Sequence, residues 1–221
     1  MNVLHFVNAF FSDGSHWHGY DGIPRRLLEH IEYSLMALGI AAAIALPVGL
    51  ITGHTGRGGN ALPLIAAAAR ALPSYGLLVL MAVVLGIGLT PVMIPLVALA
   101  VPPILVTTYE AIRTVDPAPV DAARGMGMDS SAILFRVELP VALPLILSGL
   151  RSAAIQVIST ASIAAYVSLG GLGRYVIDGL YQRNYEKVVG GATLIAALAV
   201  VTLGLFSLVS RFVVSPGVRR G

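Results

Sequence analysis

Residues 33–51 read YSLMALGIAAAIALPVGLI and contain no charged side chain. A helix rises about 1.5 Å per residue and needs about 20 apolar residues to cross the roughly 30 Å of hydrocarbon in a bilayer. Charged residues flank the stretch, with Glu29 and Glu32 before it and Arg57 after it. Tyr33–Ile51 is therefore predicted to be a membrane-spanning helix.

The composition of the whole chain agrees with a membrane environment. Its 221 residues are 57% hydrophobic and 11% charged, whereas a soluble domain carries about 25% charged residues. So few charges could not cover the apolar surface of a water-soluble fold, and lipid must contact much of the exterior. The net charge of +3 is spread along the chain, which argues against a nucleic-acid-binding face.

Further apolar stretches predict more spans. The tract from Ala61 to Tyr109 is too long for a single span, and residues 86–91 within it contain the glycines and the proline typical of a turn. The additional spans are predicted at Ala61–Leu85, Pro91–Tyr109, Val141–Val167 and Val188–Val209. A glycine-rich turn at Gly170–Gly173 and a polar loop at Arg174–Lys187 separate the last two. The predicted fold is all-α and polytopic, with about five spanning helices.

This number of spans places the two termini on opposite sides of the membrane. Residues 1–32 are predicted to be an N-terminal extracytoplasmic segment, residues 33–212 a transmembrane domain and residues 213–221 a cytoplasmic tail. The polar loop over residues 110–139 then lies in the cytoplasm, an orientation that the distribution of basic residues slightly favours. The first span is expected to act as its own insertion signal.

The loop Glu110–Leu139 is the most charged part of the chain. Proline suits the first turn of a helix, which places a helix start near Pro117. Glycines up to Gly127 suit the end of that helix. Asp129 or Ser130 could then cap a second helix. The pattern predicts a short helix, a glycine turn and another helix at the membrane surface.

Residues 121–140 of this loop read DAARGMGMDSSAILFRVELP. The spacing resembles the cytoplasmic loop of importer permeases of the ATP-binding-cassette (ABC) class, the binding-protein-dependent type I permeases. That loop is written E-A-A, three residues, G, nine residues, I, one residue, L-P. Here Asp121 stands for Glu and Val137 for Ile, while Gly127 and the pair Leu139–Pro140 match. Three anchors match over these twenty residues, and the loop lies between two predicted spans.

The resemblance implies a coupling helix that docks on a separate nucleotide-binding subunit, over Pro119–Ser131. The small side chains of Ala122 and Ala123 would let this helix seat in a groove of that subunit. Gly127 would allow the chain to reverse, and Pro140 would begin the next span and fix its angle. The residues to which the resemblance assigns coupling and docking are Asp121, Ala122, Ala123, Arg124, Gly125, Met126, Gly127, Met128, Leu139 and Pro140.

Within this family the chain is most similar to permeases for compatible solutes of the glycine betaine, carnitine, choline or proline type. The stretches that carry this likeness are Ala71–Ser74, Val115–Pro117, Ala122–Gly127, Val137–Pro144 and Gly170–Gly173. The resemblance implies a permease subunit of an ATP-driven importer in the bacterial plasma membrane. It also implies a MetI-like fold, with five core helices around a translocation path at a dimer interface.

The same resemblance implies the partners of the chain. They are ABC ATPase subunits, a second permease that is identical or homologous, and an extracytoplasmic solute-binding protein. Contacts with the binding protein would fall in the outer loops, including Gly170–Lys187. Membrane lipid is a further partner and nucleic acid is not. ATP and Mg²⁺ would bind the ATPase subunit, and this chain would hold no cofactor.

Hydroxylated residues in two predicted spans are candidates for the solute path. They are Ser74 and Tyr75, next to Pro73, in the second span, and Ser159, Thr160, Ser162 and Tyr166 in the fourth. A simple proline kink, or close packing by small hydroxylated residues, accounts for the same pattern. Arg70 and Arg151 also lie inside predicted spans. Each could snorkel to the interface or contribute to a cytoplasmic gate.

No pattern in the chain points to catalysis. There is no Walker motif, no nucleophile–base pair and no zinc-binding pair of histidines on a helix. His16 and His18 lack a third ligand, so no metal site is predicted. Two other functions stay open: an ABC permease for another small solute, such as an amino acid, and a secondary transporter driven by an ion gradient. The second predicts inverted repeats and acidic residues near mid-membrane, and neither is evident.

Overall fold

The computed structural model describes residues 3–58, 61–71 and 73–213, without the side chains of Pro63, Ala69 and Arg70. The prediction for Arg70 and most of the predicted tail therefore fall outside the described residues. The helices are α1 Val3–Ser12, α2 Ile23–Thr55, α3 Ala61–Ala71, α4 Ser74–Leu85, α5 Leu89–Arg113, α6 Pro117–Gly125, α7 Ser130–Ile133, α8 Leu139–Thr160, α9 Gly173–Tyr181 and α10 Tyr185–Val213. Between them lie a 3-10 helix at Gly14–Trp17, a π turn at Leu134–Glu138 and a 3-10 helix at Ala161–Val167.

Four helical segments in the described part of the chain are long and apolar enough to cross a membrane. They are Ile23–Thr55, Leu89–Arg113, Ser130–Val167 and Tyr185–Val213. Lipid offers no partner for free backbone N–H and C=O groups, and a helix satisfies them within itself. The predicted all-α, polytopic fold is confirmed.

The second predicted span, Ala61–Leu85, is two helices instead of one. Helices α3 and α4 have 11 and 12 residues, and Pro73 with a ψ of 111° lies at the start of α4. Proline has no N–H to donate and its ring clashes with the preceding turn, which interrupts the helix. Neither helix alone reaches the roughly 20 residues that a crossing needs, so the chain crosses here only if both contribute.

The remaining spans run past their predicted ends. Helix α2 begins at Ile23 instead of Tyr33, so the predicted boundary after residue 32 falls inside it. The polar loop predicted at Arg174–Lys187 is largely helical, since it contains most of α9 and the start of α10. Charged residues that hydropathy assigns to loops can stay in a helix when they have partners. Arg174 and Asp178, 3.1 Å apart on one face of α9, are such a pair.

The core forms where α2, α5 and α8 pack together. Small side chains permit the close approach that membrane helices need. A Cβ atom on Gly49 of α2 would lie 2.7 Å from Thr108 Cβ, and one on Gly149 of α8 would lie 1.7 Å from Thr107 Oγ1. Three alanines at four-residue spacing, Ala37, Ala41 and Ala45, are fully buried on α2. Helix α5 therefore lies between α2 and α8 with backbones in close contact.

Helix α10 lies at the outside of the chain, with no buried residue in its most apolar 18-residue window. Its N-terminal end is covered by α1. The fully buried ring of Phe10 fills the space beside Gly190, where a Cβ atom would lie 2.2 Å from the ring. The same ring stacks on His16 at 4.3 Å between centroids and meets Tyr175 edge-on at 5.2 Å. Helix α1 is thereby fixed to the last span.

Buried polar contacts join the start of α2 to the turn after the fourth span. The Arg26 guanidinium, 7% exposed, donates to Glu29 Oε2 at 2.8 Å and also binds the Asp21 carboxylate. The N–H of Gly171, whose φ of 89° suits glycine, donates to the same Glu29 oxygen at 2.8 Å. Burial raises the pKa of Tyr175 to about 12, and its hydroxyl donates to the Asp21 carbonyl. The predicted turn at Gly170–Gly173 is confirmed.

Alanine at Gly149 should destabilise the fold, whereas alanine at Gly204 should not. Both glycines lie inside helices, where alanine is favoured by about 1 kcal/mol. Only Gly149 has neighbours within reach of a new Cβ atom, because nothing lies within 4 Å at Gly204. Overpacking costs about 1–3 kcal/mol. We expect a lower melting temperature for Gly149→Ala and an equal or higher one for Gly204→Ala in detergent. Equal melting temperatures for the two variants would contradict this packing.

Candidate functional site

Helix α6 is the short helix predicted in the polar loop. Asp116 precedes it and its carboxylate accepts the Ala118 N–H at 2.9 Å, which caps the N-terminus. Pro117 occupies the first turn. At the other end Gly127 has a φ of 85°, in the left-handed region that favours glycine. The N–H groups of Gly127 and Met128 donate back into the helix, to the carbonyls of Arg124 and Ala123.

The two alanines of the motif face different ways. Ala122 is exposed, whereas Ala123 is 2% exposed and buried within this chain. Helix α6 packs against α7 and the π turn, so only one of the two alanines can meet a partner protein. Met126, at the end of α6, is 77% exposed.

The remaining motif residues of the loop lie mostly at its surface. Asp121 and Arg124 are exposed and form a 3.1 Å ion pair, which adds little stability at such a site. Gly125 and Gly127 are exposed, and Met128 is half-buried. Together with Ala122 they form the outer surface of the loop tip.

The second arm of the loop, Ser130–Glu138, runs into α8 without a break. Its residues form α7 and the π turn, in which the Leu139 N–H donates to the Leu134 carbonyl. A π turn inserts one residue into the helical pattern and is often found at functional sites. Pro140, which lacks an N–H, follows at once. Pro140 lies in the first turn of α8, as predicted, and the helical segment Ser130–Val167 is continuous through it.

Asp129 lies at the junction between α6 and the second arm. The Ser131 hydroxyl donates to its carboxylate. That hydrogen bond is the main cause that lowers the pKa of Asp129. Asp129 occupies the position before α7, as the sequence predicts, but its side chain makes no capping hydrogen bond to that helix.

The base of the loop is anchored in the membrane domain. Ala111 and Ile112 at the end of α5 form a buried apolar cluster with Leu134 of the π turn and with Ala142 and Ile146 of α8. Partly buried leucines of α2 pack against the same cluster. The base of the loop is therefore in contact with three spanning helices.

The candidate path residues fall into two neighbouring groups. The Tyr75 ring at the start of α4 meets the Tyr166 ring edge-on, with centroids 4.9 Å apart. Both rings are about half exposed. Tyr166 also lines an open groove of about 540 Å³ with Ser159 and Ser162. Thus the structure brings together side chains from two predicted spans.

The other candidates are less clearly placed on that surface. Pro73 is exposed and Ser74 is half-buried at the start of α4. Thr160 is half-buried and is not among the residues that line the groove. Arg151 is exposed in the middle of α8. In the part of the chain that the structure describes, no group of three or more His, Cys, Asp or Glu side chains could hold a metal ion.

Sequence reasoning missed two polar residues near the loop. Glu138 belongs to the loop that its charge predicts to be exposed, but it lies in the π turn and is only 7% exposed. His54, at the end of α2, lies against it. Hydropathy and motif spacing describe residues that are near in sequence, and 84 positions separate this pair.

Comparison with known proteins agrees with these features. The family model described as "Binding-protein-dependent transport system inner membrane component" matches residues 45–220. The choline transport system permease protein OpuBB of Bacillus subtilis is 32% identical, with 87% of this chain and 88% of the relative covered. The carnitine transport permease protein OpuCB of Listeria monocytogenes is also 32% identical, with 88% and 87% covered.

Solved structures agree on the fold. An inward-facing structure of the MetNI methionine ABC transporter superposes with a TM-score of 0.75 at 23% identity, over 87% of this chain and 96% of that one. This likeness supports the MetI-like arrangement of helices. From the family match, the relatives and the fold together, the chain belongs to the binding-protein-dependent inner membrane components and is a multi-pass permease subunit of an ABC importer in the plasma membrane.

Proposed function

We propose that this permease carries a compatible solute, either a quaternary ammonium compound such as choline, carnitine or glycine betaine, or proline. The support is the similarity to choline and carnitine permeases over most of the chain. A quaternary ammonium group is a fixed cation, which aromatic rings attract. The half-exposed pair of Tyr75 and Tyr166 offers such rings at the edge of a mainly apolar groove that also contains Ser159 and Ser162.

The energy comes from ATP hydrolysis on separate ABC ATPase subunits that dock at the tip of the coupling loop, Glu110–Leu139. The observation that carries this part is the outward face of α6, where Ala122 and Met126 are exposed while the base of the loop is buried. A small residue next to a protruding methionine fits a groove on a partner. ATP and Mg²⁺ bind that partner, and this chain contributes no catalytic group.

Transport further requires a second permease, identical or homologous, and an extracytoplasmic binding protein that delivers the solute. The path residues Pro73, Ser74, Tyr75, Ser159, Thr160, Ser162 and Tyr166 would face the second permease across the translocation path. Family membership removes the secondary transporter from consideration. An amino acid as the solute is the alternative that experiment must separate.

Uptake into proteoliposomes tests the solute class. The tagged permease is purified with the subunits that accompany it, reconstituted with its binding protein, and supplied with radiolabelled choline, carnitine, glycine betaine, proline or methionine. We expect ATP-dependent uptake of at least one trimethylammonium compound, with the others as competitors. ATP-dependent uptake of methionine alone would contradict the proposed solute class, and uptake without ATP would contradict the energy source.

Tryptophan at Ala122 and at Ala123 should have different effects. Ala122→Trp adds bulk to an exposed face, so we expect the amount of co-purified ATPase to fall about tenfold or more with an unchanged melting temperature. Ala123→Trp overpacks a buried site and should lower the melting temperature of the permease itself, at a cost of about 1–3 kcal/mol. Normal ATPase recovery with Ala122→Trp would place the docking face elsewhere.

Valine at Gly127 should uncouple transport from hydrolysis, and valine at Gly204 is the matched control. Nothing lies within 4 Å of either glycine, but only Gly127 has a positive φ. A left-handed backbone costs a β-branched residue about 1–2 kcal/mol, so the turn distorts. We expect Gly127→Val to insert normally and to lose most uptake per ATP hydrolysed. Gly204→Val should retain uptake within about twofold, because a change of about 0.4 kcal/mol is expected at an exposed site. Normal uptake with Gly127→Val argues against this role of the turn.

A further inference from the structure

A single imidazole joins the end of α2 to the second arm of the coupling loop. The Nδ1–H of His54 donates to Glu138 Oε2 at 2.6 Å. Its Nε2 lies 2.6 Å from Ser130 Oγ, whose hydroxyl donates to it when the ring is neutral. These contacts span 84 and 76 positions of sequence. One side chain thus links two parts of the chain that no short segment connects.

Burial makes the link between His54 and Glu138 significant. The side chains are 15% and 9% exposed. A carboxylate withdrawn from water needs hydrogen-bond partners, and a bond to a charged group is stronger than one between neutral groups. His54 supplies such a partner to Glu138. Loss of the imidazole would leave the buried Glu138 carboxylate without this hydrogen bond. The π turn that carries Glu138 would then be free to shift toward water.

The ring contacts both ends of the irregular segment. Ser130 is the first residue of α7 and Glu138 is the last residue of the π turn. Helical side chains lean toward the N-terminus, and Glu138 must reach in this direction to share the ring with Ser130. His54 therefore clamps the second arm along its length, across a turn with a non-standard hydrogen-bond pattern.

The His54 contacts lie where the second arm of the loop meets the end of α2. Helix α2 packs extensively on α5 and less on α8, and α6 and the second arm follow α5 in the chain. A displaced second arm could slide past the end of α2 unless a directional contact held it. We propose that His54 is a positioning residue for coupling: it holds Ser130–Glu138 against α2, so that α2 and α8 move together when the ATPase displaces the loop. This inference rests on the proposed docking of an ATPase at α6.

Spin-label distances test the clamp without reference to the solute. The chain has no cysteine, so Thr55→Cys and Phe135→Cys, both at exposed positions, place labels on the two sides of the contact. The permease is labelled before assembly with its ATPase, and distances are measured without nucleotide and after trapping with ATP and vanadate. With His54 present we expect the same narrow distribution in both states. With His54→Ala we expect a broader distribution that shifts on trapping, and an unchanged narrow one overturns the proposal.

Uptake per ATP is the functional readout, with choline as the probe. For His54→Ala we expect a loss of about tenfold, the factor that corresponds to loss of one hydrogen bond to a charged group. His54→Gln, which can donate to Glu138 and accept from Ser130, should stay within about threefold of the original chain, a range of about 0.7 kcal/mol. His18→Ala is the matched control, since His18 is exposed and its Nδ1 forms a hydrogen bond with the Gly14 carbonyl within the N-terminal segment. It should leave the ratio unchanged.

Two further variants guard against misfolding. Ser130→Ala removes one contact at an exposed position and should lower the ratio about threefold, because a single neutral hydrogen bond is lost. Exchange of the partners, His54→Glu with Glu138→His, should restore part of what either single change loses. If His54→Ala and Ser130→Ala take up as much choline per ATP as the original chain, the role of His54 is contradicted while the proposed function stands. If no ATPase co-purifies with the original chain, the proposed function itself is contradicted.

Discussion

Close contact of α5 with α2 and α8 is the constraint on which the rest of the structure depends. Within a bilayer, apolar surface alone does not hold helices together, and packing of small residues does. The absence of side chains at Gly49 and Gly149 lets Thr108 and Thr107 of α5 fill the space between backbones. Such close contact resists separation of the three helices. The coupling loop, anchored at its base in the same three helices, can therefore act on the whole membrane domain.

The loop combines a rigid tip with an adaptable base. Asp116 and Gly127 fix both ends of α6, so its outward face has a defined shape before any partner arrives. The second arm differs, because the π turn leaves the regular hydrogen-bond pattern. Rigid docking and local adaptability are both useful in a subunit that must bind an ATPase and then follow its movement.

Local signals in the sequence predicted the features that depend on local chemistry. Uncharged stretches gave the spans, and proline and glycine gave the short helix Pro117–Gly125. The sequence did not reveal where the helices end, since buried partners let Arg26 and Glu29 remain in the first turns of α2. Nor did it reveal the inward turn of Ala123 or the contact of His54 with Glu138. These depend on tertiary packing, and no spacing rule reports them.

The packing of Phe10 has a consequence for the synthesis of the protein. Its ring contacts Tyr175 and Gly190, from helices near the other end of the chain. A ribosome releases residues in order, so α1 emerges long before its binding place exists. Helix α1 cannot take up this position until α10 has been synthesised. Closure of this contact is therefore a late event in biogenesis, and it marks a chain whose last span is in position.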